Sequence, residues 1–108
     1  MSSIKIVFNK NKLDKIGRTE DYYMNSIRKY YAEHGVTESI HNVFEAYGEN
    51  AAVSLYKPVM DLSKKDHQFI FLLNECVLDL GEEVDDIIDE TKEWYARKGI
   101  SYSELGAI

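Results

Sequence analysis

The sequence predicts an α/β domain in which a small three-stranded parallel or mixed sheet carries three principal helices in βαβαβα order. Three observations lead there. Ile4–Phe8 is a β-branched and aromatic run, and two later stretches, residues 20–34 and 82–98, repeat apolar side chains at helical spacing and stop at Gly35 and Gly99. At 108 residues, 44% apolar and 30% charged, the chain has room for one core, so a single domain over 1–108 is expected.

The first strand is Ile4-Lys5-Ile6-Val7-Phe8, bounded by Ser2-Ser3 and Asn9. Asn9–Arg18 carries Lys10, Lys12, Lys15 and Arg18 and reads as a basic loop or one helical turn ending at Gly17. Thr19 caps a helix over about 20–34, with Glu20 and Asp21 at its positive end and Tyr23, Met24, Ile27, Tyr30 and Tyr31 at helical spacing. Ile40–Tyr47, short, aromatic and closed by Gly48, reads as the second strand.

Ala51–Tyr56 is ambiguous between a returning strand and the start of a helix to about Lys65. Polar Asn50, Ser54, Lys57, Asp61 and Lys64 recur opposite apolar Ala52, Leu55, Val59 and Leu62, which favours the helix. Pro58 opposes it at roughly 3 kcal/mol, but the carbonyl it frees, that of Ser54, lies on the polar stripe. The alternative is an α+β split sheet with a 40–56 hairpin. Ser63 and Asp66 suggest a second cap before a short turn through Phe69–Leu73, and Cys76–Leu80 reads as the third strand.

Val84, Ile87, Ile88, Thr91, Trp94 and Tyr95 form one apolar face of the last helix, with acids early and Arg97 and Lys98 late. Residues 100–108 read as a loosely held tail, with Tyr102 and Leu105 able to pack. The expected core is Ile6, Phe8, Ile27, Val43, Leu55, Val59, Val77, Leu78, Ile87, Ile88 and Trp94.

Charge is the strongest signal. Thirteen basic side chains face nineteen acidic ones, a net charge of −6, the wrong sign for direct nucleic-acid binding. The excess is local: Asp79–Glu93 holds Asp79, Glu82, Glu83, Asp85, Asp86, Asp89, Glu90 and Glu93 against Lys92 alone. On a helix these acids stand three and four residues apart, mildly unfavourable beyond the first turn. Most charged faces are simply solvated; the functional reading is that Glu82, Glu83, Asp85, Asp86, Asp89, Glu90 and Glu93 meet a basic protein surface, such as that of a nucleic-acid-handling protein, and gain association rate from steering. The expected function is therefore a non-enzymatic, stoichiometric binder of inhibitor or immunity type. Anti-nuclease and anti-CRISPR inhibitors use the same charge strategy, although no motif links the chain to them.

Tyrosine is the second excess, eight residues, with Tyr22-Tyr23 and Tyr30-Tyr31 on one helix. Adjacent residues point about 100° apart, so some reach the surface; Tyr22 and Tyr31 are the interface candidates, and a homodimer through this helix is the alternative function. A third reading, a divalent-metal enzyme, gathers Asn9, Glu49, Asp79 and Glu82 at the strand ends of a parallel sheet, where Asp79, Glu82 and Glu49 offer oxygen ligands to Mg²⁺. His34, His41, His67 and Cys76 have no zinc-ligand spacing, and no phosphate-binding glycine loop is present; no cofactor is expected. With one cysteine, no Asn-x-Ser/Thr site, and apolar runs too short for a signal peptide or a membrane span, a cytoplasmic location is expected.

Overall fold

The computed structural model describes residues 1–101. In chain order the elements are β1 (Ser2–Phe8), α1 (Lys10–Ile16), α2 (Glu20–Glu33), β2 (Thr37–Ile40), β3 (Val43–Ala46), α3 (Ala51–Lys65), α4 (Gln68–Phe71), β4 (Leu73–Asp79), β5 (Val84–Asp86) and α5 (Ile87–Arg97). The strands form one five-stranded sheet in the order β2-β3-β1-β4-β5, and every neighbouring pair is antiparallel. This α+β architecture replaces the three-stranded parallel or mixed βαβαβα sheet expected from the sequence.

The reason lies in two short connections. His41-Asn42 alone joins β2 to β3, and Leu80–Glu83 alone joins β4 to β5; so few residues reverse a chain but leave no room for a parallel crossover. The stretch 40–47 is therefore split: its first residue ends β2 and the remainder supplies β3, in a hairpin at 37–46 and not at 40–56. Asn42 takes the left-handed conformation, φ 59°, in this turn. Similarly, 82–98 is not one helix, because Val84–Asp86 pairs with Val77–Asp79 as an edge strand. Unrolling these acids from a helix removes part of their mutual repulsion, and Asp86 becomes the N-cap of α5, its Oδ1 accepting from the Asp89 amide at 3.1 Å.

Other elements follow their local chemistry. Thr19 caps α2. Asn9 caps α1, a two-turn helix where a loop or one turn was expected. α3 continues through Pro58 to Lys65, so Ala51–Tyr56 is helical. Ser63 turns back onto the Val59 carbonyl within α3, whereas Asp66 Oδ1 accepts from the Gln68 amide and starts α4. At the other end, the Ile100 amide donates to the Tyr95 carbonyl; Tyr102 and Leu105 lie outside the described residues.

β3 and β4 both run antiparallel to β1 and flank it. They are thus parallel to each other, joined over the sheet by α3 and α4, with β1 inserted between them as a split β-α-β unit. Side chains opposite one another in a ladder share a face, so buried Ile4, Phe44 and Leu78 form one row with Asp85, while Lys5, Val43, Val77 and Asp86 form a row on the other face. Helices cover the first face: α3 packs over β3, β1 and β4, and α5 over β4 and β5. The result is a two-layer slab, 19 Å across its thin dimension.

The core holds Ile6, Phe8, Ile27, Leu55, Val59, Leu78, Ile87 and Ile88 as expected. It departs from expectation at Val43 and Val77, half-buried on the uncovered face, and at Trp94, 48% exposed on α5. Val84, placed on the helix's apolar face by the sequence, is 61% exposed because it lies on the strand, opposite Asp79.

Candidate functional site

The β4–β5 turn and β5 hold Glu82, Glu83 and Asp85, and Asp86 closes the strand. Asp89 and Glu90 then occupy the first turn of α5, where the helix dipole favours them, and Glu93 the second. Asp85 faces the helix layer half-buried, while the other six are exposed. Partial burial pushes the Glu90 carboxyl above the usual carboxylate range, reinforced by Asp85, Glu93, Asp86 and Glu83. The expected acidic cluster therefore exists as a common field, but its backbone is hairpin plus helix instead of one helix face. Salt bridges among the described residues use Glu75, Asp66, Asp21, Glu38, Glu20 and Asp61, none of them in this cluster.

Beside the acids runs a cleft of about 420 Å³ between α3 and α5. Tyr56, Met60, Ser63, Lys64 and His67 line one side, and Glu90, Thr91, Glu93, Trp94, Tyr95 and Arg97 the other. Two of these lining side chains meet directly, His67 Nδ1 to Tyr95 Oη at 3.0 Å. Trp94 stands edge-on to Tyr95, ring centroids 4.9 Å apart. Burial raises the Tyr56 hydroxyl pKa, and Glu90 and Asp85 add to the shift, which puts Tyr56 within their field. Sequence reasoning passed over Tyr56 and Met60 and weighed His67 only as a metal ligand. The signal for Tyr56 and Met60 was their i, i+4 spacing between the polar and apolar stripes of α3, whereas His67 lies beyond the end of that helix.

The tyrosine candidates separate. Tyr22 is 60% exposed at the start of α2, with the Arg18 guanidinium 4.7 Å from its ring centre. Tyr31 is no surface residue: it is 1% exposed, its hydroxyl donates to the Leu55 carbonyl at 2.6 Å, and burial drives its pKa far up. Tyr23 is buried too, its hydroxyl accepting from Arg18 at 2.7 Å. The position of Tyr31 follows from packing, because α2 must present one side to Phe44 and α3. Of the two interface candidates, Tyr31 is therefore inside the core and Tyr22 alone is at the surface.

The strand-end grouping also changes. Because β1 is antiparallel to β4, Asn9 leaves the sheet at the edge opposite Asp79, and it bonds to Asn74 instead. Asp79 Oδ1 accepts from the Gly81 amide within the β4–β5 turn. Among the described residues no three His, Cys, Asp or Glu side chains are placed to hold a metal ion. Cys76 is buried in β4, its thiol pKa driven well above the usual range by desolvation, which makes it a poor nucleophile. No helix of the described residues is long and apolar enough to cross a membrane. No family model, curated protein or solved structure matches the chain.

Proposed function

We propose that the protein is a non-enzymatic, stoichiometric interaction module of inhibitor or immunity type, which covers a basic protein surface with Glu82, Glu83, Asp85, Asp86, Asp89, Glu90 and Glu93. The observation that carries this reading is the absence of these acids from every salt bridge among the described residues. The face keeps a concentrated negative field, suited to competing with phosphate for Lys and Arg and to steering a basic partner.

The test immobilises the wild type and an Asp86→Asn, Glu90→Gln, Glu93→Gln variant, and presents each with the heparin-binding protein fraction of a lysate at graded salt. Asn at position 86 keeps the helix cap. The reading expects a captured partner whose association rate falls about tenfold in the variant, and also on raising salt from about 0.05 to 0.3 M. Equal capture by both proteins, or capture indifferent to salt, sinks it.

A further inference from the structure

The cleft between α3 and α5 carries charges of both signs. Tyr56 lies within the field of Glu90 and Asp85, while His67, just after α3, meets Tyr95. Lys64 and Arg97 also line the cleft. Met60 and Trp94 lie on the walls, and Trp94 already carries one cation, Lys98 Nζ 5.5 Å from its ring centre. An exposed indole and a carboxylate that joins no salt bridge among the described residues line the same cleft; each group alone favours a cation, and together they favour a flat one.

We propose that, within the partner-binding reading above on which this rests, the cleft seats one arginine side chain of the partner, its guanidinium against the Trp94 and Tyr56 rings and on the Glu90 carboxylate. Three properties select arginine. The guanidinium is planar and stacks on aromatic faces, it presents a fork of donors to a carboxylate, and it is more weakly hydrated than the lysine ammonium. Lys64 and Arg97 in the same lining oppose a second cation, so occupancy is single. An arginine seated among aromatic residues is also the usual composition of an energetic centre in protein interfaces, with the surrounding acids supplying rate.

Trp94 is the chain's one tryptophan, so its fluorescence and indole N–H resonance report directly on the cleft. The full chain is titrated at constant ionic strength with N-acetyl-arginine amide, N-acetyl-lysine amide and N-acetyl-citrulline amide, the last a neutral analogue of arginine. The proposal expects a saturable arginine response on the order of millimolar Kd, at least about fivefold weaker binding of lysine, and no saturable citrulline response. Glu90→Gln should weaken arginine about tenfold, whereas Glu33→Gln on α2 leaves it unchanged; thermal unfolding confirms that both variants fold. A citrulline response equal to arginine's, an unaffected Glu90→Gln, or no saturation overturns it. If arginine fails while the triple amide variant still loses its basic partner, the cleft assignment falls and the acidic-surface reading stands. Saturable arginine binding with no salt-sensitive capture would do the reverse, keeping the cleft as an arginine site and removing the acidic surface as the docking face.

Discussion

Asn42 shows how much a single side chain decides in this fold. It is 3% exposed in the left-handed conformation, and its side chain and backbone together bind four groups: Oδ1 accepts from Arg28 at 2.6 Å, Nδ2 donates to Glu20 at 3.0 Å, the amide donates to Glu38 at 2.8 Å, and the carbonyl accepts from the Ile6 amide at 3.0 Å. The turn of the β2–β3 hairpin is thereby tied to α2 and β1. Asn42→Ala loses the side-chain bonds and strains a β-carbon at positive φ, and should cost about 2–4 kcal/mol in urea unfolding; Asn42→Gly relaxes the backbone and should cost less. Equal losses would mean the conformation contributes nothing. Glu38 gives the same network a pH dependence. Arg28 and the Asn42 amide hold its carboxyl below the usual range against the opposing effect of burial. A lowered folded pKa means stability that is present above the unfolded value and lost as pH falls through the folded one. Glu38→Gln should therefore unfold more easily than wild type at pH 7, with the gap closing as pH falls below the usual carboxylate range; a gap independent of pH would remove the ion pair from the account. Reading the sequence alone offers no access to Asn42, because His-Asn lacks the glycine that marks most two-residue turns.

At the scale of elements, what the sequence reveals depends on whether a segment's structure is decided locally. α2 and α3 were legible because Thr19, Gly35 and long apolar stripes act within each helix. The 82–98 stretch misleads because Val84, Ile87, Ile88 and Trp94 satisfy a helical period, while β4 offers Val84–Asp86 a free edge that no local pattern records. Asp86 marks the boundary. Two substitutions separate the readings: Ile88→Asp, in the core, should cost several kcal/mol through an unpaired buried charge, whereas Val84→Asp, on an exposed edge strand, should cost about 1 kcal/mol or less. On a continuous helix both would be severe, so similar large losses in thermal melts would restore the single helix. Asp86→Ala should cost about 1 kcal/mol and Asp86→Asn almost nothing, since both Asp and Asn cap well. The acidic residues themselves were all visible from composition; their arrangement around an aromatic cleft was not, because Tyr56 reaches it through the packing of α3 over the sheet and His67 through the turn into α4, both long-range facts.

For the whole molecule, the consequence of the acid cluster is a conflict between stability and binding. A folded state that pushes the Glu90 carboxyl upward, through burial and then through Asp85, Glu93, Asp86 and Glu83, is one that disfavours its ionised form. Glu90 is the opposite of Glu38: the folded state binds the proton more tightly than the unfolded one, so this group's contribution worsens as pH rises from the usual carboxylate range through the raised value. Glu90→Gln should consequently raise Tm at pH 7, with the benefit vanishing below about pH 4, and added salt should raise the wild-type Tm more than the variant's by screening the same repulsion. Partner capture should move the other way, weakening in Glu90→Gln and, for the wild type, fading on acidification at a higher pH than an ordinary carboxylate would give. Sites that work by holding like charges together commonly cost the fold stability and lose function when relieved. A Glu90→Gln protein that is no more stable than wild type, or that is more stable and still captures its partner equally well, would leave the cluster as a solvated surface and nothing more.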